Sequence, residues 1–332
     1  ENPDESDVPK LEKEKFYRHI TYAYVPLQFA LVGWAAYIIG TQELSSTGWL
    51  LLSLAVGVTG GVAINIAHEL GHKNTKREQN LAKILLCAVS YPHFYIEHNK
   101  GHHVNVATPG DPATARKGES FYRFWFRTVT MSYVHAWKLE RKRLNRKGLS
   151  AFSPRNQMIW FTLAPIALAF GLAFAIGHFF VAPYSFVWGI VGYFFLQSVV
   201  AFTLLETVNY LEHYGLMREE IEPGKYEPVN PSHSWNQNNL VTNWFLAQLQ
   251  RHSDHHAYAI RRYQTLRHYD GSPQLPTGYS GMVLLALVPP LWFKVMDAKV
   301  EYYKKHRPRW NPETEDFEYP DYMKKDNKEK AA

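Results

Sequence analysis

Nine of the sixteen histidines in this chain gather in four short motifs. HELGH carries His68 and His72, EHNKGHH carries His98, His102 and His103, NYLEHYG carries His213, and HSDHH carries His252, His255 and His256. Residues three and four apart share one face of a helix, so each multi-histidine motif aims two or three imidazoles the same way. Neutral imidazole suits iron, copper, zinc and nickel, whereas hard cations such as calcium prefer oxygen. Nine nitrogens exceed the needs of a single metal. Divided between two, they give four or five ligands each, with a position open for oxygen. His213 stands alone in its motif, and spacing leaves its role open. The other histidines (His19, His93, His135, His178, His233, His268 and His306) are isolated and read as surface or hydrogen-bonded residues. Glu69, Glu97, Glu212 and Asp254 sit beside the clustered histidines and are candidates to orient imidazoles and offset metal charge. No glutamate is spaced like those of soluble carboxylate-bridged bundles, which predicts a centre without a carboxylate bridge.

These motifs need rigid elements, and apolar runs supply them. Tyr22–Gly40, Trp49–Ala67, Ile159–Phe180 and Tyr184–Tyr210 are each long enough to cross a bilayer, which takes about 20 residues. They contain no Lys, Arg or Asp, and Glu206 is their one acid. HELGH and NYLEHYG continue directly from the second and fourth runs. The connections 41–48 and 181–183 lack Lys and Arg, while the segment between the second and third runs holds Arg141, Lys142, Arg143, Arg146 and Lys147. The positive-inside rule then places the N-terminus, 73–158 and everything after Leu211 in the cytoplasm. Leu81–Phe94 is too short to span and is expected to pack beneath the membrane. Gly281–Met296 contains Pro289-Pro290 and reads as interfacial or re-entrant. Aromatic-rich Phe121–Trp137 reads as a helix at headgroup level.

Composition agrees with a chain half in lipid and half in water. Aromatics reach 15% of 332 residues, yet mean hydropathy is slightly negative. Cys87 is the one cysteine, which excludes an intrachain disulfide, a thiolate metal site and an iron–sulfur centre within this chain. The first eighteen residues are charged and form no cleavable signal peptide. The net charge of +6 lies on the cytoplasmic face in this reading, so no nucleic-acid partner is expected.

At these motifs the sequence resembles the bacterial membrane alkane 1-monooxygenases, or alkane omega-hydroxylases, within the membrane fatty-acid desaturase/hydroxylase superfamily. The discriminating stretch is NYLEHYG (209–215). HELGHK (68–73), EHNKGHH (97–103), LQRHSDHH (249–256), PKLEKEKFYR (9–18), ATPGDPATARKGES (107–120) and LPTGYSG (275–281) extend the likeness along nearly the whole chain. The resemblance implies an all-α integral membrane protein with a cytoplasmic helical cap over a non-haem centre of two irons. All nine clustered histidines, His213 included, would be the ligands, with no catalytic side chain beyond the metals. The implied reaction is terminal hydroxylation of medium- to long-chain n-alkanes to 1-alkanols with dioxygen, at the cytoplasmic side of the bacterial inner membrane. Electrons would come from rubredoxin, separate or fused, reduced by an NADH-dependent rubredoxin reductase. A basic face at Arg141–Lys147 could dock such an acidic carrier. About six spans are usual in the family, so an N-terminal hairpin is expected beyond the four counted here. Residues 1–332 would form one domain, with 323–332 a flexible charged tail.

Three rivals fit parts of the pattern. A fatty-acyl desaturase or hydroxylase shares the histidine spacings. HELGH also matches the zinc metalloprotease motif, with Glu69 as base, but that leaves six or so histidines without a task. A metal transporter would place its ligands near the bilayer midplane, and a bis-histidine haem protein needs one pair.

Overall fold

The computed structural model describes residues 2–319. The expected tail at 323–332 lies outside the described residues. A short helix α1 (Val8–Lys13) leads into α2 (Lys15–Thr41), and a tight turn delivers the chain into α3 (Ser46–Gly71). Ser45 caps α3 by accepting from the Gly48 N–H at 3.1 Å. Next come α4 (Lys76–Cys87), α5 (94–105), α6 (Phe121–Asn145), α7 (Gln157–Val181) and α8 (Trp188–His213). After α8 follow α9 (Leu240–Phe245), α10 (His252–Ala257), α11 (Tyr279–Ala286) and α12 (Pro289–His306).

The helices α2, α3, α7 and α8 are long and apolar enough to cross a membrane. They match the four apolar runs, with most ends lying one to seven residues further out, and Glu14, Ser45 and Asn156 cap the starts of α2, α3 and α7 with their side chains. The fourth differs at its start. Tyr184 adopts a left-handed φ of 63° after Pro183, and the helix begins at Trp188. Bulky apolar side chains along these helices, among them Trp34, Leu51, Leu163, Phe170 and Phe174, point outward and are exposed. That surface suits lipid and not water.

Where Gly57 and Gly60 of α3 meet α8 there is no room for a further side chain. A Cβ on Gly57 would lie 2.5 Å from Val200 Cβ and 2.9 Å from the Gln197 carbonyl; one on Gly60 would lie 2.9 Å from Ala201 Cβ. Small residues let the two backbones approach, which is how apolar helices gain packing energy where lipid competes equally for apolar surface. This seam fixes the depth and rotation of both helices, and so of the histidines at their ends.

The connection after α4 folds under the bundle. The Tyr91 hydroxyl donates to Glu206 at 2.9 Å; Thr128 of α6 and Asn209 complete the carboxylate's partners at 3.0 and 3.1 Å. The one acid of the apolar runs is thus fully hydrogen-bonded. The cap is mostly helical, as expected, with two small antiparallel hairpins, Glu220–Glu222 with Lys225–Tyr226 and Arg309–Asn311 with Asp316–Glu318, added to it. The window 281–296 folds as two helices. Pro289 and Pro290 start α12, where a missing N–H costs little, and the break falls just before them. Tyr210 of α8 and Tyr214 just after it pack on Trp292 of α12 at 4.8 and 5.2 Å between ring centres, joining cap to bundle.

Gly57→Val should destabilise the chain by about 1–3 kcal/mol through overpacking of this seam. Thermal melting in detergent checks it against Gly171→Val, a position where a Cβ meets nothing within 4 Å.

Candidate metal centre

Four elements deliver the clustered imidazoles to one place. His68 rides the last turn of α3 and His72 follows it; His213 ends α8. In α5 the segment His98–His102 is a π-helical turn. That widening turns both His102 and His103 toward the space His98 faces, which regular α geometry would not do. His252, His255 and His256 share one face of α10. The short α10 is held in place by Asn236, whose Oδ1 accepts from the Ser253 N–H at 2.9 Å.

All nine imidazoles converge, and they divide into two sets. His68, His72, His98, His103 and His255 offer nitrogens within 4.8 Å of one another, as do His102, His213 and His256; His213 and His252 join Glu212 in an overlapping third group. Several ring nitrogens lie closer than neutral rings can all justify. His98 and His103 Nε2 are 3.0 Å apart, His103 and His255 3.2 Å, His252 and His256 2.9 Å, and His213 and His252 3.3 Å. The Nε2 atoms of His68, His72 and His102 are buried without a hydrogen-bond partner. Burial holds His72, His98, His103, His252, His255 and His256 well below the usual imidazole pKa, so these rings are neutral donors of lone pairs. Crowded, buried, neutral and unpartnered nitrogens form a donor set that fits two cations, one per set.

The acids do not all behave as their positions suggest. Glu69 is tied to Lys73 at 3.0 Å and accepts from the Tyr263 N–H, so it braces the cap and contacts no clustered imidazole. Glu97 faces His135 at 3.2 Å. Asp254 accepts from Arg261, Tyr269 and the Arg267 N–H, pinning the following loop to α10. Glu212 alone of the four reaches a clustered ring, with Oε2 3.0 Å from His252 Nε2.

The acid that sequence reasoning missed is Asp111. Its Oδ2 lies 2.8 Å from His102 Nδ1 and accepts from the Thr114 hydroxyl at 2.6 Å, while Oδ1 accepts from the Ala113 N–H at 3.1 Å. Burial alone would depress His102, but the Asp111 carboxylate outweighs it and raises the ring's pKa. This carboxylate fixes the His102 tautomer, leaving Nε2 free for the cluster. Asp111 lies nine residues beyond His102 in a loop, where no helical period links them. The one available signal was the Gly-Asp-Pro turn in the 107–120 stretch. The seven isolated histidines stay outside the cluster: His93 packs on Tyr91 and Tyr133, His178 accepts from the Tyr184 N–H, and His233 faces Glu227.

Beside the first set opens a cavity of about 620 Å³ between α3, α8, α9 and α11. Val58, Val62, Leu204, Val208, Phe245 and Val283 line it, and it ends at His68, His98, His252, Glu212 and Tyr279. Apolar residues at its rim, Val58, Phe245 and Leu284, are exposed where the bundle meets lipid. No Lys or Arg lines it among the described residues.

Residues 45–285 match the fatty acid desaturase family. The chain is 48% identical over 310 residues to alkane 1-monooxygenase 2 of Pseudomonas aeruginosa, covering 91% of this chain and 78% of that protein. It is 45% identical over 302 residues to the alkane 1-monooxygenase of Ectopseudomonas oleovorans, covering 90% and 72%. A more distant relative, the xylene/toluene monooxygenase hydroxylase component of Pseudomonas putida, is 29% identical over 287 residues, covering 85% and 73%. Four membrane-crossing helices, a buried histidine cluster at their ends and these relatives agree: the chain is a membrane monooxygenase, an oxidoreductase that belongs to the alkane 1-monooxygenase family.

Proposed function

We propose that this chain hydroxylates the terminal methyl of medium- to long-chain n-alkanes to 1-alkanols, with dioxygen and two non-haem irons. The carrying observation is the apolar cavity that opens at the lipid-facing rim and ends on the histidine cluster. An alkane dissolves in the bilayer, and such a cavity takes it from there without passage through water. His68, His72, His98, His103 and His255 would hold one iron, and His102, His213, His252 and His256 the other. Iron with dioxygen supplies the oxidising strength that an unactivated C–H bond requires, which zinc does not.

The remaining work belongs to this chain's own side chains. The walls from Val58 to Val208 align an unbranched chain end-on by dispersion and exclusion of water, since they offer it no hydrogen bond. Substrate depth then decides which carbon meets the cluster. An acyl thioester, the substrate of the rival reading, would need a polar or cationic wall for its carrier, and none lines the cavity among the described residues. The protease reading fares worse, because Glu69 is engaged by Lys73 and Tyr263.

The single electron donor favoured here is rubredoxin, kept reduced by its NADH-dependent reductase. Lys138, Arg141 and Lys142 of α6, with Arg146 just after it, form an exposed basic end that suits an acidic carrier. Arg143 is occupied by Glu140 through two contacts of 2.6 Å. The histidine end of the bundle carries this basic charge and the turns at the other end carry none, which supports a cytoplasmic site in the bacterial inner membrane. Residues 1–332 act as one domain in this reading.

The purified chain in detergent, supplied with rubredoxin, reductase, NADH and octane, is expected to contain two irons and to yield 1-octanol. One zinc without iron, or no octanol with both irons present, would overturn the reading. Val58 lies ten residues before His68, about 15 Å along the helix, so Val58→Trp should shorten the cavity. Turnover of long alkanes should fall about tenfold or more while short ones are spared, as read from product yields across a homologous series. Asp111→Asn should weaken metal retention by about 10–100-fold, measured as iron lost to a chelator.

A further inference from the structure

Glu212 does something that no neighbouring acid does. It is 1% exposed, on the last turn of α8 beside His213. The Tyr279 hydroxyl donates to its Oε1 at 2.6 Å. Its Oε2 is buried with no hydrogen-bond donor, although it lies 3.0 Å from His252 Nε2. No Lys or Arg side chain pairs with this carboxylate among the described residues. A buried carboxylate oxygen left bare costs more than almost any other single defect in a protein interior.

The ring it meets is shared with two other imidazoles. His252 Nε2 also lies 2.9 Å from His256 Nε2 and 3.3 Å from His213 Nε2. One imidazole nitrogen carries at most one hydrogen, and here three electron-pair donors surround it. With a hydrogen on His252 Nε2 the ring can serve one of the three well and not all of them; without one, its lone pair faces the bare carboxylate oxygen. A cation among His213, His252 and Glu212, whose atoms lie within 4.8 Å of one another, resolves all of these contacts together.

We propose that Glu212 is itself a metal ligand, through Oε2, and completes an oxygen-containing set with His102, His213, His252 and His256. The proposal rests on the two-iron reading above and changes it. The first metal keeps five neutral nitrogens, whereas the second has four nitrogens and one anionic oxygen. The two sites then differ in net charge by one unit and in the hardness of their donors. Glu212 also lines the end of the apolar cavity with Tyr279 and His252, so the carboxylate marks the substrate side of the second site. Tyr279, through its hydrogen bond to Oε1, is the residue that aims Oε2 inward.

The test uses the full chain in detergent, loaded anaerobically with isotopically enriched ferrous iron. Iron per chain, the Mössbauer spectrum and the rate of iron loss to a ferrous chelator are read for the wild type, Glu212→Gln, Glu212→Asp and Tyr279→Phe. The wild type should hold two irons in two distinguishable environments. In Glu212→Gln one environment should change or vanish, with one iron lost about tenfold faster or more, while the other is unaffected. Glu212→Asp, which keeps a carboxylate, should retain both irons with one environment shifted, and Tyr279→Phe should retain both. Wild-type spectra and chelator rates in both Glu212 variants would overturn the proposal. So would simultaneous loss of both irons in Glu212→Gln, which marks a role in the fold. Fewer than two irons in the wild type would sink the two-iron reading itself, and this proposal with it.

Discussion

Everything in this molecule answers to the crowding of nine imidazoles in one largely buried space. Neutral rings repel weakly through their lone pairs, and each buried nitrogen without a partner adds a cost of its own. The fold pays that cost in one location and arranges the rest to hold it. The glycine seam between α3 and α8 sets two of the ring-bearing helix ends at fixed depth. The π-helical turn of α5 widens the face that His98, His102 and His103 share. The cap then closes from beneath, with Asn236 and Asp254 holding α10 at the required height.

The bilayer imposes the second constraint. Helices satisfy their own backbone groups, so they are what can cross, and polar side chains inside them must find partners. Glu206 shows the rule obeyed, with three donors around one carboxylate. Glu212, six residues further along the same helix, shows it broken at the site where a charge from outside the protein would complete it. That contrast on a single helix separates a structural acid from a functional one better than burial does, since both are equally buried.

Much of this was legible in the residues. Apolar length gave the four long helices, and helical spacing gave three of the four histidine motifs, because both signals are local and periodic. His213 was not legible by spacing; its place emerges only when α8 ends where α10 and α5 meet. Of the four neighbouring acids, adjacency in sequence singled out too many, since Glu69, Glu97 and Asp254 face away from the rings they flank. Asp111 was invisible for the converse reason. A loop residue nine positions from its histidine has no period to betray it, and only the folded path of 106–114 brings the two together. The start of α8 at Trp188 and the β hairpins of the cap depend on turn geometry and pairing that composition does not encode.

The division of the cluster between early and late parts of the chain has a consequence for synthesis. Six of the nine rings belong to segments ending at His213, and the last three arrive with residues 252–256. A ribosome inserting this chain therefore places all four long helices in the bilayer before the cluster can be complete. Under the two-iron proposal, the half-built pocket is during that interval an open, multidentate chelator facing one compartment, free to capture whichever cation that compartment offers. Selection of the right ion is thus a problem of timing in the cell as much as of affinity, and closing the cap is the step that ends the competition.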